Sequence, residues 1–295
     1  MILMVSGRCD IVAFHTEWFM NRYKEGYVDV RNPFNPKLVS RINFNNVDLI
    51  MFCTKNPIPI VKYLNEIEKP ILFHVTLTSY NKDIEPNVLS KKRIVEAIKE
   101  ISDIIGIDNI YVRYDPILIN DKYTVDYHIK AFDKLCKLLN GYTKHIIISF
   151  VDIYKNVKNN SDILNLKEMT SDDYKKIGTS FSKIAKDNNM TVQTCYEDND
   201  LTGYGFIKED CLSKTLAYKL TGRVFEEQTA RKEKKCHCVK MVDIGVYNTC
   251  RHLCKYCYAN YDEKQVSKNI KKHNPKSSLL IGELEFGDII KERYE

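Results

Sequence analysis

No stretch of this chain approaches the ~20 consecutive apolar residues that a membrane-spanning helix needs, which argues against a membrane protein. The opening Met1-Ile-Leu-Met-Val-Ser is too short and too uncharged for a signal peptide, and it runs straight into strand-like sequence. A cytoplasmic protein is therefore expected. Motifs for a catalytic nucleophile, a phosphate loop or a dinucleotide glycine fingerprint are missing, and Gly203-Tyr204-Gly205 is too short to serve as one. Internal repeats and low-complexity segments are absent as well. Strong charge is also lacking. A net charge of +6 permits an anionic substrate or nucleic acid, but falls short of the basic balance of dedicated nucleic-acid binders. The chemistry has to come from a metal site or a bound cofactor.

What is present is an ordinary globular composition, 44% hydrophobic and 28% charged, over a length that suits one large domain or two small ones. Apolar, β-branched runs recur at Ile2–Val5, Asp48–Cys53, Ile71–Leu77, Ile110–Tyr114, Ile146–Val151 and Thr191–Cys195. They are nearly continuous rather than alternating, as strands buried on both faces are. Helical patterns lie between them. Asn56-Pro57 reads as a helix start leading Ile60, Val61, Leu64 and Ile67. Ile94, Ile98, Ile101 and Ile105 follow helical spacing, as do Ile129, Phe132, Leu135 and Leu139. Tyr174, Ile177, Phe181 and Ile184 follow behind Ser171 as a cap. The polar stretches 154–170 and 261–278 read as loops.

This alternation predicts an α/β protein built from parallel βαβ units, either a (β/α) barrel or partial barrel, or an open doubly wound sheet. A seventh run, Val242–Tyr247, leads into a cysteine-rich end. Residues 1–235 are expected to form the barrel-like core. Residues 236–295 are expected to pack on the same barrel and to supply its last strand.

Most of the strands end in polar residues: Ser6-Gly-Arg8-Cys-Asp10, Thr54-Lys55-Asn56, Thr76-Leu-Thr78, Arg113-Tyr-Asp115-Pro116, Ser149-Phe-Val-Asp152 and Tyr196-Glu197-Asp198. In (β/α) barrels the active site lies at the carboxyl ends of the strands, so these ends are expected to line one polar cavity. Ordinary structural ion pairs account for any single one of them equally well. Arg113 and Asp115 are the stronger pair, because residues two apart on a strand project the same way. Lys55 is the weakest, since a lone Lys after a strand is usually solvated.

Ten cysteines are many for a cytoplasmic chain, and they are not spread like a disulfide framework. Cys9, Cys53, Cys136 and Cys195 sit singly among apolar residues and read as small buried hydrophobes. Five others cluster at 236, 238, 250, 254 and 257, and clustered thiols read as metal ligands first. Cys250-x3-Cys254-x2-Cys257 can hold three irons of a [4Fe–4S] cluster and leave the fourth open. That spacing, with Tyr256 before the third Cys, is the signature of radical S-adenosylmethionine (SAM) enzymes. The alternative is a zinc site on Cys236, Cys238, Cys254 and Cys257, with His237 or His252 able to substitute. The single-residue gap in Cys236-x-Cys238 is tight for zinc, and Cys250 is then left unexplained. Cys236 and Cys238, with Cys211, could hold a second cluster or metal, form a redox pair, supply a hydrogen atom, or stay free. His237 and His252 read as supporting or solvated residues.

The run Asp243-Ile-Gly245-x-Tyr247-Asn248-Thr-Cys250-x-His252-x-Cys254-x-Tyr256-Cys257-Tyr258-Ala259-Asn260 resembles an uncharacterised prokaryotic family of unknown function, whose C-terminal cysteine cluster is similar to the N-terminal cluster of radical SAM proteins. Arg8-Cys-Asp10-Ile, Glu17-Trp18-Phe19-Met20, Arg31-Asn-Pro33, Thr54-Lys55-Asn56-Pro57, Arg113-Tyr-Asp115-Pro116 and Leu280-Ile-Gly282 carry the same resemblance over nearly the whole chain. The likeness to radical SAM enzymes covers only the cysteine loop and the barrel pattern. In that superfamily the loop follows the first barrel strand, whereas here it follows the last, as in a circular permutation.

The resemblance implies SAM chelated at a cluster on Cys250, Cys254 and Cys257, and its cleavage to a 5′-deoxyadenosyl radical that abstracts hydrogen. It also implies an electron donor such as a ferredoxin or flavodoxin. A glycine-rich contact to the SAM amine is not seen, and Arg8, Asp10, Thr54 and Asn56 are the residues placed to serve instead. Arg113 and Asp115 are the catalytic candidates. Ser149, Asp152 and Tyr256 join the cofactor-binding set. The substrate is open between a small molecule and a nucleotide, with no membrane partner and only weak support for nucleic acid. An iron–sulfur carrier or sensor without SAM chemistry and a zinc-stapled binding module remain the alternatives.

Overall fold

The structure, a computed structural model, describes residues 1–195, 197–228 and 236–294. In chain order the elements are β1 (Ile2–Val5), α1 (Ile11–Phe14), α2 (Thr16–Glu25), β2 (Tyr27–Arg31), β3 (Leu38–Asn43), β4 (Leu49–Thr54), α3 (Ile58–Val61), β5 (Ile71–Thr76) and α4 (Lys91–Ile105). Then follow β6 (Ile110–Ile117), α5 (Val125–Leu139), β7 (His145–Phe150), α6 (Lys155–Asn159), α7 (Ser161–Leu164), α8 (Ser171–Asp187), β8 (Thr191–Thr194), α9 (Lys214–Thr221), β9 (Val242–Asp243), α10 (Glu263–Ile270) and β10 (Ile289–Arg293).

Seven strands form one sheet in the order β8-β7-β6-β5-β4-β1-β9, and every pairing in it is parallel. From β1 to β8 the order never reverses, unlike a doubly wound sheet. Right-handed crossovers then put α4, α5 and α8 on the same face. That is the winding of a barrel, but β8 and β9 are edges and do not pair among the described residues. A separate three-stranded sheet, β10-β3-β2, sits beside α2. The sequence pattern did not predict it. Its strands are short and polar, and β10 is exposed along its whole length.

Because side chains alternate across a strand, the sheet divides the core in two. Val5, Phe52, Phe73, Val112, Tyr114, Ile146 and Ile148 pack under the helices. Ile2, Leu49, Met51, Leu72, Tyr111 and Ile147 point to the inner face, where Leu212, Ala217, Cys236, Cys238 and Val239 cover them. The apolar runs therefore read as continuous because both faces are buried.

Local signals account for most boundaries, with some corrections. The α8 cap is Thr170, not Ser171, and forms a reciprocal capping box with Asp173. Residues 154–170 are not simply loop but hold α6 and α7, and 261–278 hold α10, whose cap is Asp262. The seventh strand stops at Asp243 instead of reaching Tyr247. There the Asp243 carboxylate captures Ser6 Oγ at 2.6 Å and the backbone N–H of Gly245 at 2.6 Å, which turns the chain out of the ladder. Gly245 suits this turn because an added Cβ would lie 1.9 Å from Ser6 Oγ.

Phe132 on α5 and Phe181 on α8 are fully buried and stacked at 3.9 Å between ring centroids, both edge-on to Tyr114. Phe181→Ala is expected to destabilise the protein by about 3–5 kcal/mol in denaturant unfolding, and Phe181→Leu by clearly less.

Candidate functional site

The three cysteines of the C-terminal loop follow directly from β9, at the carboxyl end of the sheet. Asn248 and Leu253 adopt positive φ (55° and 56°), which coils the loop tightly. Its backbone is held by side-chain amides. Asn260 Nδ2 donates to the Cys250 carbonyl at 2.7 Å. From α6, Asn156 Nδ2 donates to the carbonyls of Cys257, Tyr258 and Asn260 at 2.9–3.3 Å. The Ala259 N–H donates to Cys257 Sγ at 3.3 Å. Burial raises the pKa of all three thiols, and for Cys250 the neighbouring Asp10, Cys257 and Cys254 raise it further. Lys55 acts the other way on Cys254 and Cys257. Three thiols, Cys250 buried and Cys254 and Cys257 half-buried, that feel one another's charge beside a cation and backbone donors fit a metal cluster, because a coordinating thiol is deprotonated outright.

Asp10 ties this loop to the sheet. Its carboxylate accepts from Thr54 Oγ1 at 2.7 Å, from the Lys55 N–H at 2.8 Å and from the Ala13 N–H at 2.9 Å. His252 Nε2, between the first two cysteines, lies 2.9 Å from it. His252 is 2% exposed, so it is a buried part of the site and not solvated. Asp10 and Thr54 thus spend their polar atoms inside the protein. Asn56 donates its N–H to Thr54 Oγ1 at 2.9 Å and caps the start of α3 through its side chain. Arg8 is turned onto Asp243, with Nη2 donating to the Asp243 carbonyl at 2.6 Å.

Glu85 was not singled out in the sequence. It is 1% exposed and accepts from Lys55 Nζ at 2.9 Å, Thr78 Oγ1 at 2.5 Å and Tyr256 Oη at 2.5 Å, with Lys91 Nζ also bound. Burial alone would raise its pKa, but Lys55 and Lys91 hold the carboxyl well below the usual range. Lys55, expected to be solvated, is instead fixed between Glu85 and Cys254. Glu85 lies in a loop with no motif around it, and only the packing of Tyr256 over it reveals its place.

A second group lies on the β6–β8 side. Arg113 forks onto Asp115 Oδ2 through Nε at 2.9 Å and Nη2 at 2.5 Å. Ser149 Oγ reaches the same oxygen at 3.5 Å. Asp152 is exposed and accepts from Tyr154 Oη at 2.8 Å. Glu197 Oε1 accepts from the Phe150 N–H at 2.7 Å, and Tyr196 lies outside the described residues. Tyr258 links the two groups. Its hydroxyl donates to the Gly7 carbonyl and feels Cys257, Asp243, Cys53 and Arg113. The strand ends converge, but largely by bonding to one another.

The remaining thiols form a cluster of their own. Cys211 Sγ lies 2.8 Å from Cys195 Sγ and accepts from Arg113 Nη1 at 3.3 Å. Cys238 contacts both Cys211 and Cys236. Cys195 is therefore part of a thiol cluster, not an isolated hydrophobe. Cys236 and Cys238 group with Cys195 and Cys211, and Cys254 and Cys257 group with Cys250, so the zinc pairing of Cys236 and Cys238 with Cys254 and Cys257 is not formed.

Burial, with Asp152, Cys195 and Asp115 nearby, raises the Glu197 pKa to about 8. A carboxyl raised on folding binds more protons in the native state, so its contribution is present below the unfolded pKa and is lost as pH rises through the folded one. Stability is expected to fall between about pH 5 and 8, and Glu197→Gln should flatten that fall by roughly 1–2 kcal/mol after solvent screening. Thermal melts of both proteins across that range test this, and parallel curves would reject it.

Solved structures that resemble the chain do so weakly. One is a radical SAM methyltransferase from Sphaerobacter thermophilus, with 14% identity and a TM-score of 0.35, covering 49% of this chain. The chain spans only 39% of that methyltransferase's length. Another is the 3-keto-D-glucoside 4-epimerase YcjR from E. coli in its apo form, with 11% identity, a TM-score of 0.32 and 66% of each chain covered. Likenesses this partial carry no argument about activity. No curated protein matches. A family profile matches residues 2–259. The chain belongs to the DUF1848 family, a domain of unknown function.

Proposed function

We propose that the chain is an iron–sulfur enzyme that holds a [4Fe–4S] cluster through Cys250, Cys254 and Cys257 and acts on SAM, in a permuted partial barrel. One observation carries this reading. The cysteine loop leaves the sheet from β9, and β9 pairs in parallel beside β1 with Met4 opposite Asp243. This adjacency supports reading the loop as the permuted counterpart of one that follows the first strand. When bound, such a cluster supplies an open iron that ligates SAM and the single electron that cleaves it to a 5′-deoxyadenosyl radical.

In this reading the protein's own residues divide the work. Asp10, Thr54 and His252 fix the orientation of the loop. Lys55, held by Glu85, offsets negative charge at Cys254 and Cys257, and Tyr256 shields that side. Arg113 and Asp115 supply a guanidinium and a carboxylate at the strand ends, suited to a carboxylate and to ribose hydroxyls respectively, and a ligand there would share or displace the ion pair between them. Ser149, Asp152, Asn56 and Arg8 are the remaining polar groups able to contact SAM or substrate. The substrate class stays with a small molecule or nucleotide, and the reductant with a ferredoxin- or flavodoxin-like donor.

Anaerobically purified protein is expected to be brown with about four irons per cluster, and its reduced electron paramagnetic resonance signal should change on adding SAM. A signal indifferent to SAM would make the protein an electron carrier or sensor instead. Cys250→Ala, Cys254→Ala and Cys257→Ala should each abolish the cluster, and full iron in all three would refute the ligand set. Asp10→Asn should keep the fold but lose iron to a chelator about 10-fold faster, because the partner of a site-orienting His is typically worth that much.

A further inference from the structure

We propose that Cys195, Cys211, Cys236 and Cys238 hold a single zinc ion, separate from the cluster loop, which staples the described stretches that carry them across the inner face of the sheet. The four thiols come from three places: the end of β8, the residue before the turn into α9, and the stretch leading to β9. They form a continuous chain of contacts. Cys195 and Cys211 are 2.8 Å apart, Cys211 touches Cys238, and Cys238 touches Cys236. The Cys236 and Cys238 sulfurs also lie within 4.8 Å of an Asp210 carboxylate oxygen.

The scale of this cluster favours one ion over a second iron–sulfur cube. Thiolates around a tetrahedral zinc, with Zn–S of about 2.3 Å, sit ~3.8 Å apart. The Cys195–Cys211 pair, at 2.8 Å, needs to open by about 1 Å, and the thiols farther apart along the chain of contacts must draw in, since among the described residues only Asp210, Cys236 and Cys238 have ligand atoms all within 4.8 Å of one another. A four-iron cube would push all the sulfurs farther apart. The one-residue gap in Cys236-x-Cys238, tight for a zinc motif by sequence alone, is no obstacle because the fold already brings both thiols together.

Two further features fit. Arg113, with 17% of its side chain exposed, donates to Cys211 Sγ at 3.3 Å. Four thiolates around Zn²⁺ carry two negative charges, and the Arg113 guanidinium, shared with Asp115, offsets part of that charge. Among its described residues the stapled stretch also has little regular structure beyond α9. It is tied by isolated bridges such as Glu227↔Val239 and Gln193↔Ile207. Yet Leu212, Ala217 and Val239 close the inner core. A segment this irregular gains most from a metal clip that closes its loops. Asp210, which accepts the His237 N–H at 3.0 Å, orients the turn from outside the thiolate set.

The inference does not depend on the SAM reading, and one measurement separates them: zinc and iron counted together in full-length protein and its variants. The wild type is expected to hold about one zinc per chain. Cys211→Ser, Cys236→Ser and Cys238→Ser should each cut zinc about fivefold or more and leave iron in place. Cys254→Ser should do the reverse. Asp210→Asn should keep its zinc, whereas Cys195→Ser should lose it. If the variants fail to fold, cobalt(II) added to metal-stripped wild type should give the strong charge-transfer and d–d bands of a tetrahedral thiolate site. Zinc unaffected by these substitutions, iron in zinc's place, no bound metal, or zinc lost with Asp210→Asn but kept with Cys195→Ser would each overturn the assignment.

Discussion

Two residues of β9, Val242 and Asp243, lie in parallel beside Leu3 and Met4 of β1, and the placement of the cysteine loop depends on this short contact. A ladder so brief contributes little by itself, since each hydrogen bond nets only about 1 kcal/mol. The Asp243 side chain makes up the difference. It accepts from Ser6 Oγ, from the N–H of Gly7 at 2.8 Å and from the N–H of Gly245. Every one of these bonds joins the two ends of the chain or turns the backbone toward the cysteines. Asp10 repeats the device one layer further out, binding β4 through Thr54 and the loop through His252. Two carboxylates thereby bring the start of the chain and its last fifth into one site.

Charge is arranged around the loop with similar economy. Three buried thiols are unfavourable as free thiolates, as their raised pKa values indicate. Lys55 is kept charged beside them by Glu85, itself anchored by Lys91, Thr78 and Tyr256. This is a buried network in which each member satisfies another, and such networks hold one geometry because any broken contact leaves an unpaired charge. On the β6–β8 side, Arg113 spans between Asp115 and the Cys211 thiol. The same guanidinium therefore belongs both to the polar strand ends and to the four-thiol cluster that closes the inner core.

Much of the architecture was legible in the sequence because parallel strands buried on both faces leave continuous apolar runs. Six of those runs match β1, β4, β5, β6, β7 and β8 within a few residues, and the Ile and Leu spacings mark α4, α5 and α8. The small sheet of β2, β3 and β10 escaped notice because its strands are polar, and one pairs only with a segment more than 240 residues away. Glu85 escaped for a related reason. A single acidic residue in a loop has no periodicity or spacing to announce it, and its role exists only once Lys55, Lys91 and Tyr256 converge on it.

The sequence by itself determined the α/β class, the alternation of strands and helices, and the three-cysteine spacing with its chemical preference for metal. These are local properties, written in neighbours a few residues apart. The tertiary structure alone decided which cysteines stand together, that β9 sits beside β1, and that Asp10 and Glu85 serve the loop. It also divided the remaining thiols, drawing Cys195 into a group with Cys211, Cys236 and Cys238. Such groupings depend on contacts between residues far apart in the chain. Those contacts form only when the sheet has been wound and Leu212, Ala217, Cys236, Cys238 and Val239 have packed across its inner face.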